Sequence, residues 1–261
     1  MNAEATVLLH RDSRGVATMT LNRPQRRNAF DDRVIADLHY KARDLAQDAT
    51  IRVVVLTGAG DIFCAGMDLD HMRRQGTRSQ ADNVQDALAF AHCLESLSSM
   101  NKPVIARVNG GAYGGGIGLI AAADIAIGVD HAKFALTEVR LGIVPAVIAP
   151  YVVAAIGHRQ AKRLFLSAMT FDARFAQSLG LLHETVAAAE LDTAVEQEIA
   201  RLLQGGPHAL AAAKQLAVDA AARVCTNEQT ARLLAELRAS PEGQEGLAAF
   251  NEKRRPNWSA S

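Results

Sequence analysis

The chain has 261 residues, 49% apolar and 21% charged, enough to bury one large core or two small ones. Its 28 Lys and Arg are balanced by 28 Asp and Glu, a formal charge of zero that argues against binding nucleic acid through a basic surface. Three cysteines, Cys64, Cys93 and Cys225, are too few and too scattered for a disulfide framework and suit a reducing compartment.

The N-terminus, "MNAEATVLLHRDSRG", lacks the basic-then-apolar pattern of a signal peptide, so a cytoplasmic protein is expected. "TVLLH" and "VATMTLN" flank "RDSRG" and read as a hairpin. "AFDDRVIADLHYKARDLAQD" has helical spacing, with Asp31 or Asp32 at its start. "IRVVVLTG" is a β-branched run closed by glycines, the pattern of a buried strand. Residues 73–82 are polar and read as a loop, and 83–100 return to helical periodicity. "KPVIARVNG" is the next strand, followed by a glycine-rich loop, a short apolar helix, the strand "DIAIGVD" and an extended "KFALTEV". The uncharged run at 141–157 contains Gly142, Pro145 and Pro150 and reads as core rather than a membrane span. From about residue 145, Ala and Leu dominate and helical periodicity continues, with a break at Gly205-Gly206-Pro207. The pattern is α/β in the first half and helical in the last hundred or so residues.

The loop "NGGAYGGGIGLIAAAD" holds six glycines within ten positions, which implies close approach of the backbone to something. Gly116, Gly118 and Ala121 satisfy a G-x-G-x-x-A spacing on paper, but the loop lies far from the first strand–helix unit, where a dinucleotide fingerprint belongs. No Lys-Ser or Lys-Thr pair follows, so a Walker-type phosphate loop is excluded. The remaining reading is an anion pocket built from free N–H groups at a helix N-terminus. A second donor is then needed, and the small-residue turn in "DIFCAGMDL", Cys64-Ala65-Gly66 before a helix, is the candidate.

Five stretches in order carry a resemblance: "LNRPQRRNAF" (21–30), "FCAGMDL" (63–69), "KPVIARVNGGAYGGGIGL" (102–119), "FALTEVRLGIVP" (134–145) and "GLAAFNEKRRPNW" (246–258). Together they resemble the crotonase, or enoyl-CoA hydratase/isomerase, superfamily along nearly the whole chain. The resemblance implies an α/β spiral of strand-strand-helix repeats (residues 1–200) with a C-terminal helical trimerisation region (201–261), hence homotrimers or hexamers. It implies an acyl-CoA substrate and no cofactor beyond the CoA of that substrate; RNA binding, known for one relative of the family, is disfavoured by the zero net charge, and the histidine spacing and the interrupted apolar run argue against a metal and a membrane partner.

The resemblance also implies roles. Two backbone N–H groups would hold the thioester oxygen, at Ala65 and at Gly115, the middle glycine of the run. Two glutamates act in the family's hydratases; Glu138 matches the second, while the first position holds Gly118. Among apolar neighbours, Glu138 is expected to have a raised pKa suited to proton transfer. CoA contacts are implied for Arg26, Ala29, Met67, Asp68 and Leu69, and for Phe250 and Lys253 from a neighbouring subunit. Asp68 reads equally as a helix cap, and Cys64 as packing. "AYGGGIGLIAAADIAI", "TEVRLG" and "IVPAVIAPYVVAAIG" resemble a bacterial subgroup acting on branched glutaconyl-CoA thioesters and tolerating glycine at the first position. Hydration of 3-methylglutaconyl-CoA is therefore expected, with 3-enoyl-CoA isomerisation by Glu138 alone, or non-catalytic CoA binding, as alternatives. A dicarboxylic acyl group would want a cation; Arg73, Arg74, Arg107 and Arg140 are candidates. The eight histidines show no metal-ligand spacing, and His71 reads as a polar loop residue near the pocket mouth.

Overall fold

The computed structural model describes residues 5–259. β1 (Val7–Arg11) and β2 (Val16–Leu21) form the expected antiparallel hairpin. α1 (Asp32–Gln47) starts at Asp31, whose side chain accepts the N–H groups of Arg33 and Val34. β3 (Val53–Gly58) is buried along its whole length, as a strand covered on both faces must be. A short β4 (Ile62–Cys64), α2 (Leu69–Gln75) and α3 (Gln80–Ser98) follow. The polar stretch 73–82 is thus mostly helix: two helices capped by Asp68 and Ser79 leave only 76–79 between them.

The next unit repeats the pattern: β5 (Val104–Val108), β6 (Gly111–Tyr113) and α4 (Gly115–Ala122). β7 (Ile125–Val129) and β8 (Lys133–Ala135) then lead to a 3-10 turn, Glu138–Leu141. Each unit gives one strand to each of two sheets. The larger runs β1-β2-β3-β5-β7-β10 and is parallel apart from β1; the smaller runs β4-β6-β8-β9. This is a spiral of strand-strand-helix units. β9 (Thr170–Asp172) and β10 (Glu184–Val186) lie on either side of α6 (Ala173–Leu179), inside the stretch that reads as purely helical.

The rest is helical: α5 (Ala149–Ser167), α7 (Leu191–Leu203), α8 (Pro207–Ala221), α9 (Asn227–Ala239) and α10 (Pro241–Asn251). The division expected after residue 200 falls inside α7, which runs on to Leu203; the break is at Gly205-Gly206, before α8. The core lies between the two sheets and the helices over them, with Val53, Val54, Leu56, Ile105, Ile117 and Phe134 at most 1% exposed. Among the described residues no helix is long and apolar enough to cross a membrane.

Candidate active site

β4 and β6 are parallel neighbours, so the turns that follow them leave the same edge of the small sheet side by side. The facing turns therefore hang from these three-residue strands, not from the long strands β3 and β5 that dominate the sequence pattern.

In the first turn Gly66 has φ +85°, and a Cβ there would meet the Tyr113 carbonyl oxygen at 2.6 Å and the Gly115 nitrogen at 3.5 Å. Only glycine lets the two turns meet this closely. A parallel bridge then fixes the orientation of the amides. Phe30 donates its N–H to Gly66 O, and Asp68 donates to Phe30 O, both at 2.9 Å. In such a bridge the residue between, Met67, turns its N–H to the opposite side. That N–H has no acceptor among the described residues. The expected donor, Ala65, does not fit the role: its N–H already donates to Arg27 O at 2.9 Å. Ala65 lines the cavity, but the available donor of this turn is Met67.

In the second turn Gly114 has φ +48° and Gly115 opens α4. An N–H in the first helical turn has no intrahelical acceptor and sits at the positive end of the helix dipole, and that of Gly115 has none elsewhere among the described residues. A Cβ on Gly115 would lie 2.4 Å from Phe30 Cζ and 3.2 Å from Phe90 Cε1, so a side chain would have to displace two packed rings.

β8 pairs with β6 and delivers Glu138 beside the glycine turn. Its Oε1 is 3.0 Å from where a Cβ on Gly114 would be, and its Oε2 is buried without a hydrogen-bond partner among the described residues. Burial pushes the Glu138 carboxyl above the ordinary carboxylate range, only partly offset by the residue's own backbone N–H.

These groups line an inner cavity of about 320 Å³. Its walls are apolar: Phe30, Leu69, Met72, Phe90, Val147 and Ile148 among them, with Thr137 and Glu138 the only lining side chains among the described residues that carry oxygen. The first-glutamate position is closed. A Cβ on Gly118 would lie 2.2 Å from Cγ2 of Ile148, which is 2% exposed. A buried isoleucine thus occupies the space a second carboxylate would need. Gly118→Ala is expected to destabilise the fold by about 1–2 kcal/mol in urea titrations. Overpacking of about 1–3 kcal/mol outweighs the helix-propensity gain of about 1 kcal/mol. Ile148→Ala in the same chain is expected to relieve the clash, whereas a more stable single variant would refute the packing.

An outer cavity of about 650 Å³ shares Ala65, Met67, Leu69, Thr137 and Leu141 with the inner one. It is lined further by Arg26, Arg27, Ala29, Asp68, Asp70, Arg73 and Tyr113, so five of the seven residues expected to contact CoA come together here. Asp68 is also the cap of α2, accepting the N–H groups of Asp70 and His71, and it pairs with Arg23 at 3.2 Å. Its carboxylate is committed to the scaffold. Phe250, 81% exposed, and Lys253 line neither cavity.

Arg73 reaches the outer cavity only, and none of the four candidate arginines lines the inner one. Arg107 is turned away to Asp192 at 2.7 Å. Burial pushes the Cys64 thiol up to about 12, and its Sγ donates to Asn28 O, so the group is packed and inert. His71 is not a loop residue; it is buried in α2. The sequence reading also missed Asn28, 1% exposed at φ +56°, whose side chain donates to Ala59 O and Ile62 O. This knot holds the 26–29 turn against the outer cavity; a buried Asn tolerating left-handed backbone was the available signal.

A model of the family described as enoyl-CoA hydratase/isomerase matches residues 11–261. A 2,3-dehydroadipyl-CoA hydratase of Escherichia coli is 32% identical over 93% of this chain and 94% of its own length. A hydroxycinnamoyl-CoA hydratase-lyase of Pseudomonas fluorescens is 35% identical over 77% of this chain and 74% of its own. The crystal structure of an enoyl-CoA hydratase from Shewanella pealeana superposes with a TM-score of 0.93 at 38% identity, covering 97% of this chain and 96% of that one. With a spiral of two-sheet units, paired glycine turns and a family match from residue 11 to the C-terminus, the chain belongs to the enoyl-CoA hydratase/isomerase family, the crotonase superfamily.

Proposed function

We propose that the protein hydrates the C2=C3 double bond of a short, branched 2-enoyl-CoA, with 3-methylglutaconyl-CoA the candidate substrate. One observation carries this reading: a buried, unpartnered carboxyl oxygen beside two free N–H groups in an otherwise apolar cavity. The thioester oxygen accepts from the Met67 and Gly115 N–H groups, which stabilise the enolate as negative charge builds there. Glu138 takes a proton from water as the water oxygen adds to C3, then returns that proton to C2. Its raised pKa moves it toward the working pH, where one group serves as both base and acid.

With Ile148 over Gly118, the enzyme offers no second carboxylate to hold the water. In 3-methylglutaconyl-CoA the distal carboxylate stands one methylene from C3 and supplies a second acceptor. The wall at Leu141, Ile143 and Val144 is open to solvent, so that carboxylate stays hydrated on this side. The inner volume suits a short acyl group, and the E. coli relative is named for a dicarboxylic one.

The apolar Ile148 wall favours a second reading, a 3-enoyl to 2-enoyl-CoA isomerase in which Glu138 carries a proton from C4 to C2. The test incubates purified protein with 3-methylglutaconyl-CoA, crotonyl-CoA and 3-hexenoyl-CoA. Formation of the 3-hydroxyacyl product supports hydration. A shifted double bond without hydration supports the isomerase, and CoA-ester binding without turnover a non-catalytic protein.

We further propose a cytoplasmic homotrimer or hexamer built through α8–α10, which would carry the exposed Phe250 and Lys253 to a neighbour's CoA. Sedimentation at several concentrations tests this: a monomer throughout would oppose it.

A further inference from the structure

α2 forms part of the wall of the inner cavity through Leu69 and Met72. Between these two, His71 is 2% exposed and does not line the cavity. Its Nε2 lies 2.9 Å from Asp86 Oδ1 on α3, and Gln75 Nε2 donates to that same oxygen at 2.9 Å. Its Nδ1 is 3.7 Å from Asp32, the first residue of α1. Its backbone N–H donates to the cap residue Asp68. Asp86 in turn precedes Ala87 and stands one turn before Phe90, and both of these line the cavity.

One imidazole thus ties α2 to α3, with Asp32 of α1 beside it beyond hydrogen-bond distance, directly behind the wall that an acyl group would press against. A buried polar group costs free energy unless it is bonded, and an apolar residue would fill the same space without that need. We propose that His71 is a positioning residue. The His71–Asp86–Gln75 latch fixes α2 against α3, so that Leu69 and Met72 hold the α2 side of the cavity in place and disfavour long acyl groups. The proposal rests on the inner cavity being the acyl site, but not on which reaction occurs there.

The test measures binding of butyryl-CoA, octanoyl-CoA and free CoA by calorimetry, together with thermal melting, for wild type, His71→Leu and His71→Gln. Glutamine keeps an N–H donor near Nε2. His71→Leu is expected to lower the butyryl-over-octanoyl preference by about tenfold, 1.4 kcal/mol. Binding of free CoA should stay unchanged, and His71→Gln should restore the preference. An unchanged preference in a folded His71→Leu protein overturns the proposal, as does loss of free-CoA binding in step with acyl-CoA binding. If His71→Leu does not fold, Gln75→Leu, which removes one of the two donors to Asp86, is measured instead. A smaller fall in preference supports the latch, and no change overturns it.

Discussion

Glu138→Gln is expected to lower turnover by about 10³-fold, within the range that a positioned acid–base contributes, while acyl-CoA still binds. Among the described residues the inner cavity offers no other carboxylate to take over the proton, so the loss should be nearly complete. The pH profile gives an independent check. Burial holds the Glu138 pKa above 4.5, its ordinary value, so the wild-type rate should rise with pH through that raised value as the basic form appears. The residual rate of the glutamine variant should lack this limb.

Stability should move the other way. Because the folded pKa is raised, the folded state holds the proton more tightly than the unfolded one. The Glu138 contribution to stability is then fully present below 4.5 and is lost as pH climbs from there through the raised value. Glu138→Gln removes that loss. The variant is expected to melt at a higher temperature than wild type near neutral pH, with the difference shrinking in acid. A lower melting temperature at neutral pH would mean that the carboxylate is held by interactions the structure does not contain.

Met67→Pro, which deletes one N–H, is expected to cost about 10²–10³-fold in kcat, the usual effect of losing an oxyanion donor. Met67→Ala keeps the N–H and should retain most of the activity. The bridge to Phe30 uses the Gly66 carbonyl and the Asp68 N–H, not the Met67 N–H, so the proline removes no hydrogen bond from the scaffold. Ala65 makes the contrast: its N–H bonds to Arg27, so Ala65→Pro should weaken the fold rather than the chemistry. Equal losses in kcat from Met67→Pro and Met67→Ala would remove Met67 as a donor.

The pattern of elements was largely legible because the long strands are β-branched runs and α1 shows its cap. The end of α2 and the start of α3 were hidden by polar composition, although Ser79 followed three residues later by Asp82 is a visible start signal. β9 and β10 are three-residue edge strands with too little pattern to detect. At the site, resemblance located the two turns, Gly115 and Glu138. It did not settle which amide of the first turn is free, because a bridge to the distant Phe30 decides that. Nor did it show why Gly118 is a glycine, because Ile148 comes from the segment leading into α5. His71 reads as surface because its partners, Asp86 and Asp32, come from two other helices. Each of these misses at the site is a contact between remote segments, which local pattern does not encode.

The most direct measurement is a crystal structure with a non-reacting 2-enoyl-CoA analogue. The thioester oxygen is predicted to lie at hydrogen-bond distance, about 2.9 Å, from both the Met67 and Gly115 nitrogens, with the Glu138 carboxyl facing C2 and C3. A thioester oxygen bound away from that amide pair, or Glu138 turned from the acyl group, would contradict the account.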